Sequence, residues 1–422
     1  MPVLEKLADL RETKNDAVEA WFAHERQAHR PMLTTSVDLR HSGYKIAPVD
    51  ANIYPAGFQN LSDNARIRAA DRFAEALKRR VPDAKNILIF PESHTRNLPY
   101  LDNLNILEYI LSEAGFEVRI GAPASYDDEP NQLTTEGGKP VTRHSLKQDG
   151  GKLITADGFV ADAIVLNNDC TSGVPPLLKN IAQPVMPTPC MGWFQRKKSD
   201  HFAAYQALAT SFAEAFGLDV WQLNAYFDCA RGVNFKSRIG SEQLAHKTDM
   251  MVAKIQKKYD EYGISDTPYV YVKADSGTYG MGIMQVRDGS ELLELNKKQR
   301  NKMHVIKEGA LVHDVILQEG VPTVDMLDEQ SAEPMIYMVD GVPVGGMFRV
   351  NEGRDARENL NASGMRFENM CDTDDEKREA HKVTGCDFSA YGIISAMSSL
   401  AVGVEQKNLA LTKEQLSRVD CS

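Results

Sequence analysis

Residues 271–283 read YVKADSGTYGMGI: Lys273 closes an apolar, aromatic run, Asp275 follows, and Gly277, Gly280 and Gly282 come close behind. Glycines spaced this way let backbone N–H groups approach phosphate oxygens with no Cβ in the way. Lys273 would add a positive point charge. The stretch matches neither a Walker loop, which needs G-x-x-x-x-G-K-[ST] between a strand and a helix, nor a dinucleotide loop, whose glycines open a helix. YVYVKAD reads as a strand and IMQV as a returning strand, so the glycines sit at a hairpin. An ordinary bulged hairpin would look the same, so the rest of the chain has to discriminate.

Downstream, VILQEGVP (315–322) is an apolar strand ending in a polar pair, PMIYMVDGVPVGGMFRV (334–350) is two strands around an Asp-Gly turn, and RENLNASGM (357–365) ends the series. Upstream, SVDLRHSGYKIAPVDANIYPAGF (36–58) presents two strands around HSG and a Pro/Gly exit. PESHTRN follows the strand NILIF (86–90), and LNNDC (166–170) follows another apolar run. Both loops would sit at the carboxyl ends of a parallel sheet, where open α/β folds place ligands. Arg96 could clamp a carboxylate there, and His94 or Asn97 could read an amino group. Asn168 and Asp169 hold the same kind of position. These residues could equally cap or bridge their own loops.

The elements that must position these residues follow from period and turn signals. A helix is expected over 3–29, helices over 65–80 and 101–114 alternating with strands at 86–90 and 117–121, and further strands at 163–169 and 184–187. Residues 129–158 read as an excursion of small strands. A helix begins at the Ser199/Asp200 cap signal and ends at Gly217, and another lies near 241–262. The tail after ENLNASG reads as a charged loop and a helix.

A chain of 422 residues with 42% hydrophobic and 25% charged residues folds as two or three domains. The N-terminus mixes charges of both signs and offers no secretory h-region, and no apolar run approaches the ~20 residues of a membrane span. Six scattered cysteines without a C-x-x-C pair argue against a disulfide framework and a structural zinc site, and for a reduced, cytoplasmic setting. A net charge of −11 disfavours a general nucleic-acid surface. Cys170 reads as a small buried residue, and QRKKSDHF as a basic cluster that solvates a helix start or steers a nucleotide.

In this order the segments resemble the ATP-grasp superfamily, in particular the peptide ligases of the glutathione-synthetase type. SVDLR, SGYKIAPVDANIYPAGFQNL, PESHTRN, NND and VKADSGTYGMGI resemble the proteobacterial glutamate-cysteine ligase family across about residues 30–400. The resemblance implies ATP as co-substrate with Mg²⁺, glutamate and cysteine as substrates, and formation of γ-glutamylcysteine through an acyl phosphate on the route to glutathione. It assigns the phosphates to Lys273, Ser276, Gly277, Thr278, Tyr279 and Gly280, with Lys236 as a second lysine. The adenine falls to Gln318, Glu319 and Val321, with Glu333 nearby. Arg349 would face the transferred phosphoryl group, and Arg357 and Asn359 either the acyl phosphate or their own loop.

The family pattern ends in a metal-binding pair of strands that the C-terminal tail does not offer, whereas Asp38 and the Asp50-x-Asn52 element resemble it. The expected fold is therefore α/β: a circularly permuted ATP-grasp ligase with residues 1–62 completing the ATP site, a Rossmann-like domain over 63–198, and the ATP-grasp domain over 199–422. Asp38, Asp50 and Asn52 would hold Mg²⁺ as hard oxygen ligands. A homo-oligomer is compatible with this reading. Another ATP-grasp amino-acid ligase, or a nucleotide sensor without turnover, remains the alternative.

Overall fold

A computed structural model describes residues 1–93, 97–123, 131–276, 283–303, 306–307, 310–311, 314–370 and 388–415. Two large sheets and one small one frame the molecule. The first is antiparallel, in the order β19-β18-β17-β1-β2, from β1 (Thr34–His41), β2 (Ile46–Asn52), β17 (Gln330–Val339), β18 (Val342–Asn351) and β19 (Met365–Asn369), with β16 (Met326–Leu327) paired to β17. The N-terminal hairpin thus joins strands 300 residues away: β1 runs against β17, with Ser36 opposite Tyr337 and Asp38 opposite Met335. The β17/β18 turn uses Asp340 at φ 52° and Gly341 at φ 75°, the two positive angles that a tight hairpin requires and that Asp-Gly supplies. Residues 365–369, expected to begin a charged loop, instead form the edge strand β19 against β18, because an edge strand with no fully buried residue tolerates their charges.

One face of this sheet is covered by α1 (Val3–Ala28), α4 (Lys198–Phe216) and α8 (Phe388–Gln415) through a core that includes Leu7, Phe22, Val37, Phe212, Ile336 and Ile394. Helix α2 (Asp63–Arg80) packs on the other face, where Phe73 meets Tyr337 and Met347 in one core. The same core continues through α3 (Leu98–Glu113) to the second sheet.

That sheet has the order β5-β6-β4-β3-β8-β9, from β3 (Asn86–Pro91), β4 (Glu117–Ala122), β5 (Asn131–Thr134), β6 (Pro140–Asp149), β8 (Ala163–Asn167) and β9 (Val185–Met186), with β7 (Lys152–Thr155) paired to β6. The pairs β3/β4, β3/β8, β4/β6 and β8/β9 are parallel. Ile87, Leu88, Ile89 and Phe90 are all buried, as a parallel strand covered on both faces must be. The segment expected to be an excursion is more than that, since β6 joins the sheet itself. Helix α3 starts three residues earlier than expected: the Asn97 side chain caps it by accepting from Tyr100 N, and Pro99 fits the first turn.

The small sheet is antiparallel, β10-β15-β11-β12, from β10 (Phe227–Ala230), β11 (Val270–Ala274), β12 (Met284–Val286) and β15 (Val315–Glu319). It packs on α5 (Ser241–Tyr262) through Val270, Val272, Leu317, Ile255 and Tyr259. Between β12 and β15 lie α6 (Ser290–Leu293), α7 (Lys297–Met303) and the two-residue strands β13 (Ile306–Lys307) and β14 (Ala310–Leu311). Helix α4 begins at Lys198 and stops at Gly217, whose φ of 70° terminates it. Its first turn is capped from outside: Asp275 accepts from Ser199 N and Ser199 Oγ, both at 2.8 Å. The aspartate of the opening motif thereby anchors the end of β11 to α4.

Candidate active site

The three sheets converge on a cavity of about 700 Å³. The antiparallel sheet contributes Asp38, Arg40, Asp50, Asn52, Glu333 and Arg349, and the small sheet contributes Lys273 with the following Ser276. The carboxyl end of the parallel sheet contributes Glu92, Asn97, Asn167, Asn168 and Asp169, and Asn359 closes one side.

Cross-strand register builds the first wall. Glu333 lies opposite Arg349, and Arg349 Nη1 donates to Glu333 Oε1 at 2.5 Å and to Asp38 Oδ2 at 2.9 Å. Arg40 Nε reaches Glu333 Oε2 at 2.6 Å, while its two other nitrogens donate to the carbonyls of Ala356 and Glu358. All four side chains are buried. Burial alone would push the Glu333 carboxyl up, but the charges of Arg40 and Arg349 outweigh it and hold the group below its usual range. Asp38 goes the other way, raised by burial and by the nearby Glu333 and Asp50 carboxylates despite Arg349. The Nε of Arg349 is buried without an acceptor among the described residues.

Asp50 stands directly opposite Asp38 across β1/β2. Lys198 Nζ donates to Asp50 Oδ1 at 2.6 Å, and against the opposing effect of burial this ammonium holds the Asp50 carboxyl down to about 2. The basic cluster expected to solvate a helix start is thus divided between two interior tasks. Lys198 lines the cavity, and buried Arg196 pairs with Glu405 and donates to Ala51 O at 3.0 Å. Lys273 Nζ donates to Gln318 Oε1 at 2.6 Å and to Val49 O at 3.4 Å. Burial, then the charge of Lys198, lowers its ammonium to about 8. Gln318 Nε2 is buried and without an acceptor among the described residues.

Other expected residues are placed differently. The Glu319 carboxylate is already satisfied by Lys45 Nζ at 2.6 Å, Trp221 Nε1 at 3.2 Å and Tyr226 N at 2.8 Å. Any contact it makes with a base falls to its main chain. Val321 lines the cavity. Lys236 is exposed in the loop before α5 and is not among the lining residues, and Arg357 pairs with Asp266. Gly277, Thr278, Tyr279 and Gly280, and His94 and Arg96, lie outside the described residues.

Three oxygen-bearing side chains meet at the hairpin: Asp38, Asp50 and, two residues along the same face, Asn52. No group of three His, Cys, Asp or Glu residues with metal spacing occurs among the described residues, so any such site must use the Asn52 amide oxygen. The donors fit a hard cation. They are all oxygens, and Asp38 Oδ1 and Asp50 Oδ2 accept from no donor among the described residues.

Of the second wall, sequence reasoning reaches only Asn97, Asn168 and Asp169. Glu92 Oε1 accepts from Asp169 N at 2.8 Å, Asn168 Nδ2 donates to Pro91 O at 3.4 Å, and Asp169 Oδ1 accepts from Thr171 N and Oγ1. Burial, aided by the Asp169 charge, pushes the Glu92 carboxyl up to about 7. Asn167 lines the same wall: its amide donates to Pro55 O at 2.5 Å, leaving its buried Oδ1 with no donor among the described residues. A sequence signal for this wall did exist. Pro91 and Asn167 are register partners in adjacent parallel strands, so the residues just past them must be neighbours.

A family model for glutamate-cysteine ligase matches residues 9–406. The chain belongs to the glutamate-cysteine ligase family. A crystal structure from Methylobacillus flagellatus KT, of a protein provisionally named a gamma-glutamylcysteine synthetase, is 39% identical, with 96% of each chain covered and a TM-score of 0.86. Two more distant structures were matched. A glutathione synthetase-like effector from Globodera pallida is 12% identical (83% of this chain, 78% of that, TM-score 0.38), and a D-alanyl-alanine synthetase A from Vibrio cholerae is 9% identical (70% and 78%, TM-score 0.31). At these scores neither adds to the assignment. No relative matches among curated proteins. No helix of the described residues is long and apolar enough to cross a membrane.

Proposed function

We propose that the cavity is where this ligase activates the γ-carboxylate of glutamate with ATP and joins it to the amino group of cysteine. The ATP-dependent ligase activity follows from family membership. The observation that carries the siting is the cationic wall, where Lys273, Lys198 and Arg349 converge and a buried donor, Arg349 Nε, has no acceptor among the described residues. Such a wall suits a polyanion, and phosphoryl transfer is governed by positioning and charge neutralisation. Lys273 would hold phosphate oxygens and Arg349 would face the transferred phosphoryl group. Ser276 and the glycine loop would cover them and exclude water from the acyl phosphate. Val321 and the main chain of Gln318 and Glu319 would meet the adenine. Asn97, Asn168 and Asn359 are proposed to contact the amino-acid substrates.

Asp38, Asp50 and Asn52 would hold Mg²⁺, which when bound neutralises phosphate charge. The pairing of the N-terminal hairpin with β17 supports reading the fold as a permuted ATP-grasp ligase. In that division residues 1–62 complete the nucleotide site, 63–198 form a Rossmann-like substrate domain, and 199–422 form the ATP-grasp domain. The test is an assay of the purified protein with ATP, glutamate and cysteine, with and without added Mg²⁺. The expected result is a γ-linked dipeptide with one ADP and one phosphate per bond, lost on chelation. AMP and pyrophosphate would rule out the acyl phosphate.

A further inference from the structure

The amine that attacks an acyl phosphate must first lose a proton, because an amino acid carries its amino group as an ammonium at neutral pH. None of the residues assigned above accepts that proton. On the wall away from Lys273 the chemistry of the cavity reverses sign. Glu92 and Asp169 are carboxylates, and the buried Asn167 Oδ1 is an acceptor without a donor among the described residues. The Asn167 amide is oriented by its bond to Pro55 O, so the orphan is the oxygen and the missing partner is an N–H or O–H donor. Glu92 uses Oε1 for the Asp169 amide, and its carboxyl lies within hydrogen-bond reach of the Asp169 side chain, so the two form one acidic pair.

We propose that Glu92, with Asn167 Oδ1 and Asp169, receives the ammonium group of the acceptor amino acid, and that Glu92 is the base that deprotonates it. This rests on the ligase reading of the cavity. The step balances: one proton passes from the ammonium to the Glu92 carboxylate, the freed lone pair attacks the acyl carbon, and phosphate leaves with the bonding electrons of the C–O bond, taking the second nitrogen proton as hydrogen phosphate while the amide forms. Glu92 is suited to the task because its carboxyl, raised to about 7, is a stronger base than an ordinary glutamate while still being substantially ionised at neutral pH. Among the described residues the ionisable groups that influence it or are influenced by it are Asp169, Cys170 and Tyr54, and Tyr100 OH accepts from its backbone N–H.

The experiment compares cysteine with hydroxylamine as acceptor in the wild-type chain and in Glu92→Gln. Hydroxylamine is neutral at pH 7 and needs no base, so it reports acyl phosphate formation by itself. Glutamine keeps the oxygen that accepts from Asp169 N, so the loop staple survives. The expected result is a kcat/KM for cysteine reduced by about 10²-fold or more, with hydroxamate formation changed less than about threefold. Wild-type cysteine turnover should rise with pH through about 7, and that rise should be absent in the variant. In Asp169→Asn the same rise should move to lower pH, because a like charge beside Glu92 has been removed. Equal losses with both acceptors, or undiminished cysteine turnover in Glu92→Gln, would overturn the assignment of Glu92 alone. A wild-type chain that makes no hydroxamate from glutamate and ATP would overturn the ligase reading, and the assignment with it.

Discussion

The two walls of the cavity are built by different means. The cationic wall hangs on strand register: Asp38, Arg40, Glu333 and Arg349 come from three strands of one sheet, and the Asp38–Arg349 pair spans 311 residues of sequence. Its charges are buried and satisfy one another. The wall around Glu92 is made of strand ends and loops, and its side chains are held chiefly by backbone amides, as in the bonds of Glu92 Oε1 to Asp169 N and of Asn168 Oδ1 to Cys170 N. The unused hydrogen-bonding groups follow the same division. The first wall leaves a donor without an acceptor, at Arg349 Nε, and the second leaves an acceptor without a donor, at Asn167 Oδ1, while the Tyr54 hydroxyl in the lining can serve as either. One end is thus prepared for an anion and the other for a cation, and the fold separates them by using two sheets.

The sharpest way to break this contrast is Arg349→Met. Removing the arginine leaves two buried carboxylates, Asp38 and Glu333, without their shared partner, and breaking such a group costs about 3–5 kcal/mol. Urea unfolding should show that loss and turnover should disappear. A variant of wild-type stability would mean that the network is solvated in solution. Lys273→Ala should be next in effect. ATP affinity is expected to fall by about 10²-fold, while stability drops by only about 1 kcal/mol, since Gln318 Oε1 loses one hydrogen bond. The depressed ammonium adds a pH signature. With its pKa near 8, Lys273 in the free protein is charged below that pH and loses its proton above it, so wild-type ATP affinity should weaken as pH rises past 8 and the variant's should not.

A smaller effect is expected from the loop wall. Asn97→Ala removes the cap that accepts from Tyr100 N, worth about 1 kcal/mol. It should lower the melting temperature by a few degrees and raise KM for one amino-acid substrate while ATP affinity stays constant. An unchanged KM for both amino acids would withdraw Asn97 from the substrate contacts.

This contrast also explains what the sequence made legible. Lys273 and the Asp-Gly hairpin were visible because a local pattern announces them, and Glu333 and Arg349 follow once that hairpin is drawn. Asp50 and Asn52 were visible through strand period. Lys198 was not: a lysine in a run of basic residues looks like solvated surface, and only the tertiary placement of the first residue of α4 brings its ammonium to Asp50. Arg40 was hidden in the same way, because its partner Glu333 is nearly 300 residues away. Glu92 lies within PESHTRN, where by sequence alone it is one more loop carboxylate. Its meaning depends on two parallel strands ending side by side, and no local pattern encodes that adjacency.

The smallest expected effect probes how exposed the rim of the cationic wall is. Lys198 and Asp50 form a pair in which Asp50 retains 34% side-chain exposure, so solvent screens it and its contribution to stability should stay under about 1 kcal/mol. The sign is fixed by the depressed carboxyl. Asp50 titrates near 2 in the folded protein and near 3.8 when unperturbed, so the pair's stabilisation is complete above about pH 4 and is lost as pH falls through 2. Lys198→Met should therefore flatten the fall of melting temperature between pH 4 and 2 relative to wild type, and the two curves should run parallel from pH 5 to 7. A variant whose curve keeps the wild-type slope in the acid range would show that Lys198 does not hold Asp50 ionised, and that this edge of the wall is set by the main chain instead.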